Sequence, residues 1–449
     1  MSTRQSVIVV GAGISGLAAA HHLRQVAPEV NLTVVDAATR AGGMVETEHW
    51  RGLTIEHGPE GLLSTKPEAL ALIDQVGMTE DILTDGPAPR QTFIVRGGDL
   101  RPLPYGILNP TRTAAGNLLR SPLLSVRGKL RLAGEPFVRR RRDPEDESVC
   151  MFVRRRFGQE MVDALVDPLI GGIHGADTDR LSAQMLLPAL HHIEQEGHSV
   201  ALAALRRPGG KRSQRLPPLV TLRRGMGSLT DRLAEGLDGA LQLGTRVETI
   251  EQVSAGWVVH FEGGAARTAD ALILAVPTGP AAELLRPHDS TLATALGDLP
   301  SSASQTVTLI WESGTVTAPS RGTGFLVPRE EQRHLAACTW TTAKWHHRSE
   351  DGSVMVRCFM RVPAATDDEL VSLARAELAR LTDLAAVPAR TIVRQVRAAL
   401  PIIEVGHRAR VTEIHRRVIQ LGSLALAGAG LEGSGLPACV RSGTRAADA

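Results

Sequence analysis

The first fifty residues constrain this chain most, because Gly11-Ala12-Gly13-Ile14-Ser15-Gly16 follows at once on a short apolar run, Ser6 to Val10. The run reads as a buried strand, and Ile14 to Ala27 has helical composition that ends near Pro28. Asn31 to Val35 reads as a second strand, closed by Asp36, 20 residues beyond Gly16. Strand, glycine turn, helix, strand and acid in that order describe a dinucleotide-binding βαβ unit. Gly11 permits the tight turn, Gly13 lets the backbone approach a pyrophosphate, and Gly16 lets helix and strand pack closely. The helix start, through Ala12, Ile14 and Ser15, offers amides and a partial positive charge to the phosphates. Asp36 stands where a carboxylate meets a ribose hydroxyl. NAD and FAD enzymes share this unit, so it leaves the choice between them open.

Composition narrows the rest. At 449 residues, two or three domains are expected. Fifty basic against 48 acidic residues leave a net charge of +2, so no bulk field points to nucleic acid or an acidic partner. Aromatic residues, at 3%, are too sparse for single-strand stacking surfaces. Only four basic residues are lysines, at 66, 129, 211 and 344, which makes each informative. The cysteines at 150, 338, 358 and 439 lack CxxC spacing and read as buried free thiols. The histidine pairs 21–22, 191–192 and 346–347 are adjacent rather than four apart, so they do not share a helix face for a metal. No metal is expected. The chain enters its first strand without a secretory leader, and no apolar run approaches about 18 residues. A cytoplasmic location follows as an expectation.

The segment after Asp36 favours FAD. Arg40-Ala-Gly42-Gly43-Met44 is followed by a polar hairpin-like stretch and by Leu53-Thr-Ile-Glu-His-Gly58-Pro59-Glu60-Gly61. Paired glycines let the chain cross close to a cofactor, and Arg40 is placed for its phosphates; a plain Gly-Gly hairpin turn is the simpler alternative. This order resembles the FAD signature of the amine-oxidase and phytoene-desaturase class. Gly244 to Ile250, including Val247, and Asp270 to Pro277 look like a strand pair that rejoins the FAD domain. Leu424 to Gly428 reads as a buried strand. It precedes Gly430-Leu-Glu-Gly-Ser434-Gly435-Leu436-Pro437, where that class brings amides to the flavin ring.

The resulting fold class is α/β with α+β inserts. A discontinuous Rossmann-like FAD domain takes residues 1–75, 215–280 and 415–449. A β-sheet substrate domain takes 76–95 and 281–414, with strands such as Gln305 to Trp311 and Val354 to Arg361. A helical insert takes 96–214. Its arginine runs, 139–142 and 154–156, read as a solvated face, or more sharply as a membrane-surface or partner-docking face. Leu205 to Pro218 reads as a surface linker.

In its whole segments the chain resembles the protoporphyrinogen and coproporphyrinogen oxidase family of haem biosynthesis. The carrying motifs are Val9 to Ala19, Glu56-His-Gly-Pro-Glu60, Leu100-Arg-Pro-Leu-Pro104, and Asp167-Pro-Leu-Ile-Gly-Gly-Ile-His-Gly175. Gly322 to Pro328, Ala337-Cys-Thr-Trp-Thr341, Lys344-Trp345, Val405-Gly-His407 and Glu432 to Cys439 continue the match. The resemblance implies six-electron oxidation of a porphyrinogen in three hydride transfers to flavin N5, with O₂ as acceptor and hydrogen peroxide as product. No side-chain catalyst is implied, because placement of an electron-rich ring is the main task. It implies a pyrrole contact from the Gly172 carbonyl, macrocycle walls at Leu326 and Phe359, and a propionate contact at Lys66. Ordinary strand core, a turn glycine and an exposed lysine are the plainer readings of these four.

The Cys-Thr-Trp-Thr and Val-Gly-His segments look most like the Gram-positive, coproporphyrinogen III branch. Thr92, with Arg90 nearby, stands where the protoporphyrinogen branch carries a propionate-binding arginine. Departures are Asp36 in place of glutamate, and Val396 in place of a tryptophan near the flavin, which leaves that contact weaker. Three alternatives stay open: a protoporphyrinogen IX oxidase, an amine oxidase or carotenoid desaturase, and a scaffold that carries flavin or porphyrin without catalysis. Transient contact with neighbouring haem-pathway enzymes, or with a membrane surface, is a further expectation.

Overall fold

A computed structural model describes residues 5–84, 91–104, 111–141, 145–197, 199–206, 218–237, 239–319, 322–363 and 365–449. It divides into two compact units. The first comprises residues 1–84, 216–300 and 408–449, and the second residues 85–215 and 301–407.

The first unit is built on a parallel sheet. Its strands are β1 (Ser6–Val10), β2 (Asn31–Val35), β3 (Leu241–Gln242), β4 (Ala271–Leu274) and β5 (Leu424–Leu426), in the order β3-β2-β1-β4-β5. Val10 pairs with Val35 on one side and with Leu274 on the other. Sheet strands covered on both faces read as continuous apolar runs, as Val-Ile-Val-Val and Leu-Thr-Val-Val do here. One face is covered by α1 (Ile14–Val26), α2 (Pro67–Gln75) and α3 (Leu436–Asp448), whose buried residues share a core with Val7, Val9, Leu32 and Val34. The other face packs Ile8, Val10, Leu272 and Leu274 against Trp257, Val259 and Phe261 of a small antiparallel sheet. The segments beginning at Gly244 and Asp270 therefore do not pair with each other. Val247–Val253 joins that antiparallel sheet, whereas Ala271–Leu274 lies beside β1. The first buries Ile250 alone, whereas the second buries Leu272, Ile273 and Leu274 in succession, as a strand covered on both faces does.

Helices Thr278–Leu285 and Ser290–Gly297 also belong to this unit, because Ala281, Leu285, Leu292 and Leu296 fill its second core. The unit thus extends past residue 280, where the sequence placed its edge.

The second unit holds a seven-stranded sheet. Its order is Arg390–Pro401, Ser301–Trp311, Val354–Met360, Leu335–Thr339, Gly324–Leu326, Thr92–Arg96 and Asp99–Pro102. All neighbours are antiparallel except Gly324–Leu326 with Thr92–Arg96. The two-residue period of a strand sorts its faces. Val307, Leu309, Phe325, Val356 and Cys358 pack on one face with Leu370, Ala374 and Leu378 of the helix Asp367–Leu381. The helical layer of residues 111–206 builds a second core from Phe152, Leu165, Ile170 and Leu181, and it includes Ile94 and Ile402 from the sheet segments. That shared core is why the helical insert and the sheet form one unit.

The arginine run 154–156 is not a uniformly solvated face: Arg154 is exposed, whereas Arg155 and Arg156 turn to acids. Arg156 is buried, with Nη1 2.7 Å from Glu135 and Nη2 2.7 Å from Glu194. Arg155 joins Glu194 at 2.7 Å and Glu147 at 2.5 Å. Helix Val149–Phe157 buries Phe152 and Val153, and the three-residue spacing brings Arg156 to the same inner side. Arg139 and Arg140 are exposed; Arg142 and Asp143 lie outside the described residues, as do Arg90, Lys211 and residues 207–217 of the expected linker. Leu205 and Arg206 close a helix, Val200–Arg206. All four cysteines are buried and free.

Candidate functional site

The cofactor cradle forms at the carboxyl ends of β1 and β2. The Gly11 amide donates to the Val35 carbonyl at 2.7 Å, closing the turn. Gly11 sits at φ +109, a left-handed value that glycine alone adopts readily, and a Cβ there would lie 2.6 Å from the Ala275 carbonyl oxygen. A Cβ on Gly16 would lie 1.9 Å from the Gly11 oxygen. Both glycines are therefore demanded by the chain itself. Gly13 differs: its backbone is extended, at φ -71 and ψ 173, and nothing stands within 4 Å of a Cβ placed there. No neighbour requires a glycine at 13, so the open space at the helix start fits a bound group, as a pyrophosphate would require.

Asp36 is held in place. Its Oδ2 accepts the Ala12 amide at 2.6 Å and its Oδ1 the Ala38 amide at 2.8 Å. The glycine pair reaches the same turn. The Gly42 amide donates to the Ala12 carbonyl at 2.8 Å, and a Cβ on Gly43 would come within 3.1 Å of Gly13 Cα. Gly42-Gly43 thus crosses the phosphate turn and does more than close a hairpin. Arg40 serves as its brace: the two terminal nitrogens donate to the carbonyls of Ala41, Val45 and Gly43 at 3.0, 3.1 and 2.6 Å, and to Glu46 at 3.0 Å. In this geometry Arg40 shapes the cradle, where the sequence placed it at the phosphates. Gly58 packs on Met44, whose carbonyl oxygen would lie 1.9 Å from a Cβ. Beyond Pro59, the Glu60 carbonyl accepts the Thr221 hydroxyl at 2.9 Å, and Gly61 leads into a strand that pairs Leu62 with Val220. Val247 opens its strand opposite Phe261.

A second glycine turn, Gly225-Met226-Gly227, was not singled out from sequence. Buried Glu56 accepts the Met226 amide at 2.7 Å and the Thr47 hydroxyl at 2.6 Å, while Thr47 accepts the Gly227 amide at 2.8 Å. Thr230, on the helix that follows, would meet a Cβ on Gly42 at 2.8 Å. A Gly-x-Gly directly before a helix was the available signal.

The C-terminal turn closes the cradle. Gly428, at φ +152, donates to the Ser442 hydroxyl at 3.1 Å. Gly430 bonds Gly433 at 2.9 Å, and Ser434 leads to Gly435, which caps α3 at φ +87 before Leu436. Arg441 and Arg445 grip Glu432 at 2.7 and 2.6 Å, and Arg441 also binds Glu68 on α2. Burial raises the pKa of Glu68, but its backbone hydrogen bond and Arg441 outweigh this and hold the carboxyl below its ordinary value, with help from Lys66. Lys66 itself is exposed, just before α2. In α3, burial pushes the Cys439 thiol up, against a hydrogen bond to Ser15.

In the second unit, the remaining residues gather on the sheet face away from the helix Asp367–Leu381. One row across the strands runs Ile94, Leu326, Ala337, Phe359, Thr306 and Arg394. Leu326 and Phe359 stand two strands apart, about 10 Å by ordinary strand spacing, with the small Ala337 between them. The three make an apolar strip on that face, and Leu326 at its end packs against the helical layer. Thr92 lies beside Gly324, its hydroxyl 3.3 Å from that of Thr323, and Val396 pairs with Ser304 near the far edge of the sheet.

Val162–Gly171 winds as a π-helix around Pro168, which has no amide to give, and the Gly172 amide donates five residues back to Asp167. Gly172 has helical angles, φ -62 and ψ -44, and nothing within 4 Å of a Cβ. The helix ends at left-handed Gly175. Its last carbonyls find the Ala176 amide (for Gly171) and the Ser302 hydroxyl (for His174), while no donor among the described residues reaches the carbonyl of Gly172. Neither turn geometry nor packing explains a glycine at 172.

Residues 14–449 match the family model for flavin containing amine oxidoreductases. The chain belongs to that family. A coproporphyrinogen III oxidase of Bacillus subtilis is 28% identical across 99% of this chain and 97% of the relative. One of Mycobacterium bovis is 31% identical across 99% and 97%. A crystal structure from Exiguobacterium sp. 255-15, provisionally assigned as a protoporphyrinogen oxidase, superposes with a TM-score of 0.88 at 28% identity, covering 100% of this chain and 98% of that one. This flavin amine oxidoreductase is therefore an oxidoreductase with FAD as its cofactor. Its open Gly13 and fixed Asp36 fit a dinucleotide.

Proposed function

We propose that the protein oxidises coproporphyrinogen III to coproporphyrin III, passing the electrons to O₂ with release of hydrogen peroxide. FAD supplies the hydride acceptor. The observation that carries the reading is the Leu326–Ala337–Phe359 row, in which a small residue stands between two larger apolar ones on one sheet face. The Gly172 carbonyl is suited to a pyrrole N–H, fixing the ring's rotation, while Leu326 and Phe359 exclude water from the ring. The relatives' names support the same substrate. Thr92 and Lys66 favour four propionates over two. A protoporphyrinogen reading remains as the second, supported by the assignment of the Exiguobacterium structure. Among the described residues no helix is long and apolar enough to cross a membrane.

Anaerobic mixing tests this. Coproporphyrinogen III is expected to bleach the flavin band with a higher kcat/KM than protoporphyrinogen IX, and an amine is expected to leave it unchanged. Equal or reversed porphyrinogen preference would replace the substrate by protoporphyrinogen; no bleaching by either porphyrinogen would overturn the reading.

A further inference from the structure

We propose that Arg361 receives a carboxylate of the substrate beside the Leu326–Ala337–Phe359 row in the second unit. The proposal rests on the porphyrinogen reading above. Arg361 stands one residue past the strand Val354–Met360, and strand alternation gives it the side of Phe359. Its amide donates to the His334 carbonyl at 2.6 Å, which fixes the backbone. Its Nη2 donates to the carbonyl of Val327 at 3.2 Å, the residue after Leu326. The guanidinium is thereby held next to the backbone that follows Leu326.

The charges around it are unevenly matched. Arg329 contacts Asp177 and lies 3.7 Å from Asp167, so it holds both nearby acids. Arg361 has no carboxylate within 4.0 Å among the described residues, and Val327 is the one partner of its side chain. The half-buried guanidinium carries five N–H donors, of which one terminal nitrogen meets a protein acceptor, leaving the others open to an anion. Burial, and then the charge of Arg329, push the Arg361 pKa down, and the more distant Asp167 and Asp177 offset part of this. A planar fork of donors suits a carboxylate, which it can bind through two parallel bonds. Asp167 lies in the π-helix that ends at Gly172, so the Asp167–Arg329 pair couples this corner to the expected pyrrole contact. A propionate on Arg361 would therefore orient the ring across Ala337.

The test uses the full-length, FAD-loaded protein and two probes, coproporphyrin III and its tetramethyl ester, which lacks the four negative charges and carries four methyl groups in their place. Arg361→Met is expected to weaken coproporphyrin III about tenfold or more, to raise KM for coproporphyrinogen III in step with kcat unchanged, and to leave the ester's affinity as it was. Arg361→Lys should fall between. Should the Met variant not accumulate with FAD bound, Arg361→Lys and Arg361→Gln answer the same question. Unchanged affinity for the acid overturns the proposal, as does an equal loss for acid and ester, which would trace to packing. Wild-type protein that binds neither probe overturns the porphyrinogen reading and this proposal together; wild-type binding with a silent Arg361 overturns this proposal alone.

Discussion

The backbone amide of Ala12 donates to Oδ2 of Asp36 at 2.6 Å, joining the turn after β1 to the acid after β2. Phosphate turn and ribose acid are thus one hydrogen-bonded piece before any cofactor arrives. Such preorganisation lowers the ordering cost of binding.

Gly13 and Gly16 are expected to separate cofactor binding from folding. Gly13→Ala meets no protein atom within 4 Å, so the apo-protein should keep its stability within about 0.5 kcal/mol while FAD occupancy is lost. Gly16→Ala drives a methyl against the Gly11 oxygen and should cost roughly 1–3 kcal/mol or more. Thermal melts with and without added FAD check both. A Gly13→Ala protein that purifies yellow would remove the assignment of the open space.

Gly172→Ala is expected to move stability and activity in opposite directions. Its angles are helical and its Cβ space is empty, so alanine should stabilise the fold by about 0.4–1 kcal/mol. The same methyl would occupy space proposed for the macrocycle, so KM for coproporphyrinogen III should rise. Steady-state kinetics beside a denaturant melt measures the two effects; an unaltered KM would show that the substrate passes elsewhere.

The buried Arg155–Arg156–Glu194 cluster is expected to tie stability to acid pH. Burial raises the Glu194 pKa, but the Arg155 hydrogen bond, the Arg141 amide and the charges of both arginines outweigh it and hold the carboxyl at about 2, below its ordinary 4.5. A depressed folded pKa contributes stability above the unfolded value, lost as pH falls from about 4.5 toward about 2. Glu194→Gln should destabilise the protein by roughly 3–5 kcal/mol at neutral pH, with the deficit shrinking across that acid window. Urea melts at several pH values follow it, and a deficit independent of pH would exclude the electrostatic account.

Lys66→Ala is expected to be modest. Lys66 is exposed and lies near Glu68, and an exposed charge pair is typically worth about 0.2–1 kcal/mol. Loss of the lysine should raise KM for coproporphyrinogen III by less than about tenfold, with FAD retention unchanged. A silent variant would remove Lys66 from the site and leave the proposed function standing.

Much of the cradle was legible because its signals are local. Ser6–Val10 and Asn31–Val35 read directly as strands, and the glycine spacing between them has few physical uses. The Arg40 brace and the Gly225-Met226-Gly227 turn were not legible. Both depend on which carbonyl or carboxylate stands opposite, and Glu56 lies 170 residues from Met226. The arginine run 154–156 was misread for the same reason: its partners, Glu135 and Glu194, come from distant helices.

By itself, then, the sequence determined the βαβ unit, the FAD signature and the order of segments around them, since each follows from backbone demands of neighbouring residues. Only the tertiary structure decided which glycines are needed by the chain and which leave room for a ligand. The motif assigned Gly13 and Gly16 different roles, and the structure supplies the distances: a Cβ on Gly16 would meet a carbonyl oxygen at 1.9 Å, and one on Gly13 open space. It also decided that Leu326, Ala337 and Phe359 form one row, because strand register is set by cross-strand packing among segments far apart in the chain.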